Sequence, residues 1–190
     1  MAYAGQVLDN PVTGERIIFR KTSADTGGEY VEIDLVLAPD GAVPGTHVHP
    51  KQVETFEVIS GQMKFRMGMK MVKAGPGETV VVPAGKIHNF ANDGDEPAHV
   101  RVTMEPALNM EEMFETTVSL AKQGRVTKSG MPKPLELALF VEEFQDVARA
   151  PFPPHPVVMA LMAPLRAIAR KRGRQLRRPE SAIRTAIPAS

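Results

Sequence analysis

The 190-residue chain is 43% hydrophobic and 24% charged, with no cysteine and a net charge of +1. This is the composition and size of an ordinary globular domain, and it excludes disulfides and thiolate metal ligands, so a bound metal must rest on His, Asp or Glu. The charge is uneven: residues 151–190 carry eight Lys/Arg against one acid, while residues 1–150 carry 15 against 21.

The N-terminal residues have no basic region followed by an apolar stretch, so no signal peptide is expected. No run of about 20 apolar residues is present, so no spanning helix is expected either, and a cytoplasmic location follows as the expectation. Residues 5–20 read as two short strands around Asp9, Asn10, Pro11, Thr13 and Gly14. After a turn at Asp25–Gly28, the apolar residues Val31, Ile33, Leu35 and Leu37 alternate with Glu32, Asp34 and Val36. A period of two is that of a half-buried strand.

Short, evenly punctuated strands follow. Glu54, Phe56 and Val58 share one face, and Ser60 and Gly61 turn the chain. Met63, Phe65 and Met67 share a face against Gln62, Lys64 and Arg66, before a turn at Gly75, Pro76 and Gly77. Val80–Val82, Ile87–Phe90 and His99–Met104 complete the series, and Asn92, Asp93, Gly94 and Asp95 read as a hairpin turn between the last two. Many short strands at this spacing predict a sandwich or barrel.

Past Met104 the period changes. Asn109 with Glu112 three residues on has the form of a capping box. Met110, Met113, Phe114, Thr117, Leu120 and Ala121 follow at helical spacing until Gly124. Pro132 and Pro134 open a second helix containing Leu135, Ala138, Leu139, Phe144 and Val147. Prolines 151, 153, 154 and 156 form a stiff connector. A third helix is expected from Pro156 to about Lys171, with a kink at Pro164. The expected division is a barrel at 1–104, a helical extension at 105–172 and a basic, disordered tail at 173–190.

Three of the five histidines lie between Gly41 and Asn92. His47 and His49 are two apart, so on a strand both side chains reach the same side and can meet one ion. Glu54 and Glu57 compete for the acidic role. Glu54 shares its face with Phe56 and Val58, so we take it as inward and Glu57 as outward. His88 arrives through Pro83 and Gly85, which fix one backbone angle and permit another. Three neutral imidazoles and a carboxylate suit a divalent first-row ion, with Fe, Mn, Ni and Zn all acceptable, and leave positions open for chemistry. Asn92 reads as a turn residue. His99 is expected at the surface and His155 in solvent. Met63, Phe65 and Met67 read as core, with the walls of a substrate pocket as their second use.

These residues resemble the cupin superfamily. Its first motif, G-x5-H-x-H-x4-E-x6-G, is met by Gly41, His47, His49, Glu54 and Gly61. Its second, G-x5-P-x-G-x2-H-x3-N, is met by Gly77, Pro83, Gly85, His88 and Asn92. The fifteen residues between the motifs, Gln62 to Pro76, are typical of the smallest members. The resemblance covers residues 28–104 well and the helices little. It implies an all-β double-stranded β-helix (a jelly-roll barrel), here followed by about three α-helices. It also implies a homodimer and a metal held by His47, His49, Glu54 and His88. The activity it suggests is a quercetinase-like non-haem dioxygenase acting on a small organic molecule. An isomerase, cyclase or decarboxylase on the same site, or a non-catalytic metal- or ligand-binding module, is the alternative.

Val157, Val158, Leu161, Met162, Leu165 and Ile168 form an apolar stripe, followed by Arg166, Arg170, Lys171, Arg172, Arg174, Arg177 and Arg178. Docking on the barrel or on a second subunit is the plain expectation. An anionic membrane surface is the second use of such a helix. Nucleic acid is not an expected partner, because the basic run lacks aromatic residues and no helix-turn-helix is apparent.

Overall fold

Period-two sequences become strands throughout the first 105 residues of the computed structural model, which describes residues 2–43 and 45–176. Arg177, Arg178 and the rest of the expected tail to Ser190 lie outside the described residues. Strands β1 (Val7–Asp9) and β2 (Arg16–Lys21) form the expected N-terminal hairpin. They continue into β3 (Val31–Leu37), β4 (Val53–Ser60), β5 (Met63–Met67), β6 (Lys70–Ala74), β7 (Thr79–Val82), β8 (His88–Asn92) and β9 (Ala98–Glu105). Two antiparallel sheets result, one ordered β1-β2-β3-β9-β4-β7 and the other β6-β5-β8. The irregular segment 41–49 runs along the free edge of β8, with bridges Ala42–Ala91 and His47–His88. This is the double-stranded β-helix, with the expected helices after it.

The inward residues of both sheets fill the interior. Phe56, Phe65 and Phe90 meet with ring centroids 4.8 to 6.0 Å apart and plug the barrel below the histidines. Edge and tilted packing of this kind adds roughly 0.5–1.5 kcal/mol per aromatic pair beyond area burial. Gly61 takes a φ of 82°, and a Cβ there would lie 2.6 Å from the Ala98 backbone, so only glycine fits where β4 turns beside β9.

Two expectations about strands fail. The Asn92–Asp95 turn is not a hairpin: β8 pairs with β5, while β9 inserts between β3 and β4. The turn instead carries the chain from one sheet to the other, because barrel closure outweighs local turn preference. Asn92 organises that crossing, donating to the Leu37, Ala38 and Glu96 carbonyls and accepting from the Gly94 amide. Strand β6 was not expected at all. It is an edge strand with Lys70, Met71 and Lys73 exposed and only Ala74 fully buried, so its alternation is too weak to read.

Helices α1 (Met110–Lys122), α2 (Pro134–Glu143) and α3 (His155–Lys171) follow. Helix α1 covers the β1–β2 end of the large sheet, with Phe114 against Phe19. Asn109 sits at its N-cap but makes no side-chain capping bond. The first turn is tied instead by Glu111, which accepts from the Ser23 amide and hydroxyl. Gly124, at φ 64°, ends the helix as expected. Helix α2 stops before Phe144 and Val147, yet both are buried in the same core as the barrel residues. In α3, Pro164 lies inside the helix, and the apolar stripe divides: Val158 packs inward, whereas Val157, Leu161 and Ile168 are exposed. Helix α3 packs against α2. Among the described residues, no helix is long and apolar enough to cross a membrane.

Candidate metal centre

The four residues singled out by spacing meet at one end of the barrel. Glu54 lies on β4, paired with Val82 and Met104, and its side chain points inward beside Phe56. Glu57 is exposed on the outer face, as its position predicts. His47 is bridged to His88 by reciprocal backbone bonds of 3.0 and 2.9 Å. His49 is held by the Gly85 amide, which donates to its carbonyl at 2.7 Å. Pro83 to Lys86 form a tight turn closed at 3.1 Å, with Gly85 at a left-handed φ of 76°. That turn aims His88 at the other two rings.

One potential ligand atom from each of His47, His49, Glu54 and His88 lies within 4.8 Å of every other. His49, Glu54 and His88 are 3%, 5% and 1% exposed. His47 is half-buried and forms the open side. His49 Nε2 is 3.4 Å and His88 Nε2 is 2.7 Å from the same Glu54 oxygen, Oε2.

The tautomers follow from the partners. His47 Nδ1 faces the Gly45 carbonyl at 3.3 Å, His49 Nδ1 the Val147 carbonyl at 2.6 Å, and His88 Nδ1 the Lys86 carbonyl at 2.9 Å. A carbonyl can only accept, so each Nδ1 carries the hydrogen and each neutral ring turns the Nε2 lone pair inward. His49 Nε2, His88 Nε2 and Glu54 Oε2 are then buried acceptors without a donor. Acceptors facing acceptors in a buried site are costly unless a cation sits among them. The donor set therefore fits a divalent metal, and these four residues could hold one.

The electrostatics agree. Burial, followed by the neighbouring His49 and His88, lowers the His47 pKa from 6.5 to about 4, which keeps that ring neutral. Burial opposes the charge of Glu54, but His49, His88 and His47 together outweigh it and hold the carboxyl below its ordinary value. Burial likewise opposes charge on His88, yet Glu54 and the Lys86 carbonyl prevail and raise its pKa. The pair thus attracts a proton wherever no other cation is available.

The remaining sequence candidates lie elsewhere. Met63 and Phe65 are fully buried in the core, and Met67, half-buried, is the register partner of His88. His99 lies half-buried on the outer face of β9, with Nε2 3.4 Å from Asp34 Oδ1. Asp34, which reads from its alternation as an outward residue, is buried there by Arg20, His99 and Arg101. His155 is half-buried, opens α3 and contacts Gln145 at 3.1 Å. Sequence reasoning missed Val147, whose role is a backbone carbonyl and leaves no signature in residue type.

Residues 34–104 match a family model described as Cupin domain. No protein of curated function matches the chain. Among solved structures it is similar to the Schizosaccharomyces pombe Cnp3 cupin domain, at 10% identity over 63% of this chain and 74% of that one, with a TM-score of 0.46. It is similar to KdgF from Halomonas sp., at 12% identity over 56% and 92%, with a TM-score of 0.49. It is also similar to a predicted oxalate decarboxylase from Thermotoga maritima, at 17% identity over 53% and 90%, with a TM-score of 0.47. No activity is carried to this chain by these likenesses.

Proposed function

Starting from a chain whose residues 34–104 match the cupin-domain model, we propose a metal-dependent enzyme acting on a small organic molecule, most specifically a quercetinase-like non-haem oxygenase. The convergence of His47, His49, Glu54 and His88, with His49 Nε2, His88 Nε2 and Glu54 Oε2 buried and without donors, carries the reading. His47, His49, Glu54 and His88 are the ligands in this proposal. A bound first-row ion supplies Lewis acidity or redox chemistry beside the substrate. The protein's own part is to fix the tautomers through three backbone carbonyls, to keep His47 neutral and to exclude water from below through the Phe56–Phe65–Phe90 plug.

Substrate enters on the half-buried His47 side. Met67, opposite His88, supplies an apolar wall there, whereas Met63 and Phe65 act as core. Residues 1–104 form the barrel and 105–172 the extension. The working state in this reading is a cytoplasmic homodimer, which sedimentation tests.

Metal analysis of the purified protein, then oxygen consumption with iron-loaded against zinc-loaded protein over a panel of small aromatic and enol substrates, tests the function. Turnover with iron and none with zinc is the expected result. A metal-loaded protein that consumes no oxygen removes the oxygenase and favours an isomerase, cyclase, decarboxylase or binding module. A protein that takes up no metal removes the whole reading.

A further inference from the structure

We infer that the C-terminal extension is a working part of the metal centre: the Val147 carbonyl sets the ligating tautomer of His49, and the Val48–Arg149 pairing links metal binding to docking of residues 144–149. The inference rests on the metal reading above. Two of the three histidines are oriented locally, since Gly45 and Lys86 each lie two residues before the ring they hold. His49 alone takes its partner from far along the chain, 98 residues away, and that contact is the shortest of the three at 2.6 Å.

The geometry makes the contact rigid. Segment 41–49 has β8 on one side, through His47–His88 and Gly85–His49. On its other side runs the extension, where the Val48 amide donates to the Arg149 carbonyl at 3.0 Å and the Arg149 amide donates to the Val48 carbonyl at 2.9 Å. Val147 and Phe144 are buried in the barrel's own core, so the carbonyl is carried on an anchored backbone. Turns from Val147 and Ala148 back to the Phe144 carbonyl hold this stretch just after α2. Lys51 and Asp146 add an exposed ion pair at 3.0 Å, which is worth little.

Outer groups that orient a metal-bound histidine typically cost 10–100-fold in metal affinity when lost. Linkage is reciprocal: if docking of the extension favours the metal, the metal favours docking by the same factor. Backbone carbonyls cannot be deleted by a side-chain change, but the pairing that carries this one can be broken. Arg149→Pro removes the amide that donates to Val48 and restricts Ala148. Arg149→Ala keeps the amide and removes the side chain, whose guanidinium donates to the Gln145 carbonyl at 2.6 Å.

The experiment measures zinc affinity of the full chain by competition with a chromophoric chelator, together with amide hydrogen exchange with and without zinc. Arg149→Pro should bind roughly 10–100-fold more weakly than Arg149→Ala, since both lack the side chain and only the proline lacks the amide. Zinc should slow exchange at the Ala148 and Arg149 amides in wild type and leave them unchanged in His88→Ala. A merely structural contact would change melting temperature without tying that protection to zinc. A folded Arg149→Pro protein with the zinc affinity of Arg149→Ala overturns the inference while leaving the metal site standing. So does exchange at residues 147–149 that ignores zinc in a wild-type protein that binds it, and this arm decides if Arg149→Pro fails to fold. Wild type that binds no zinc overturns both.

Discussion

His88 Nε2 and Glu54 Oε2 lie 2.7 Å apart in the barrel, and with His88 Nδ1 already engaged by Lys86 the two facing atoms are both acceptors. Only a proton or a metal ion between them relieves that opposition. Glu54→Gln replaces the anion with an amide that can donate to the imidazole. We expect the metal-free variant to keep its fold, with a melting temperature close to wild type. Its metal affinity should fall by roughly 100-fold or more, beyond the 10–100-fold seen when outer partners of a ligand are lost. Chelator competition and a thermal melt on the same sample read both quantities.

Position within the sheets separates two histidines that composition cannot. His88 points inward from β8, and His99 sits on the outer face of β9 beside Asp34. His88→Ala should abolish stoichiometric metal uptake, and His99→Ala should leave it unchanged. Metal content by elemental analysis decides, and undiminished content in His88→Ala would discard the ligand set.

The candidate site was legible because all four of its residues lie in a short, regularly spaced stretch. Two residues of separation fixed His47 with His49, and the company of Phe56 and Val58 fixed Glu54 over Glu57. What could not be read depended on contacts across the fold. The turn at Asn92–Asp95 carries every local mark of a hairpin, and only the insertion of β9 between β3 and β4 denies it that role. Strand β6 hides because an edge strand buries too little to show alternation. The Val147 carbonyl hides because any residue has one.

The pH response follows from the shifts at the site. His47 is depressed to about 4 by burial and by its neighbouring rings. The unfolded chain therefore binds a proton that the folded one refuses, and stability is lost as pH falls from about 6.5 towards about 4. His88 is raised by Glu54, so its contribution is full below about 6.5 and is lost as pH rises through the raised value. Metal uptake must displace that proton. The melting temperature of the metal-free protein should thus decline at acid pH, and less so in His47→Asn. The gap between metal-loaded and metal-free protein should widen as pH rises from about 6 to 8. A gap that narrows over that range would contradict the assignment.

Phe56 is 0% exposed and touches both other members of the aromatic plug, two residues along β4 from Glu54. Phe56→Ala removes a ring from a packed interior and should cost about 3–5 kcal/mol. For a chain of this length that is roughly 6–20 °C in melting temperature. The cavity is apolar, so benzene should recover part of the loss. A shift below about 3 °C would mean that the barrel repacks freely and that the plug is not rigid.

Part of the C-terminal extension is continuous with the barrel's core rather than resting on it. Met110, Val118, Phe144 and Val147 belong to one continuous cluster with Phe19, Ile33 and Val102. Gln52, 1% exposed, donates its amide to the Pro106 and Ala107 carbonyls just beyond β9. A chain ending at Glu105 would uncover Phe19, leave the Gln52 amide buried without acceptors and free the His49 ring from Val147. Each unsatisfied buried polar group costs about 1–3 kcal/mol, and the exposed apolar surface adds to it, against a total stability on the order of 5–15 kcal/mol. The truncated chain should therefore show no cooperative melt and should bind a hydrophobic dye. A soluble 1–105 fragment with a sharp transition and wild-type metal content would mean that the barrel stands alone.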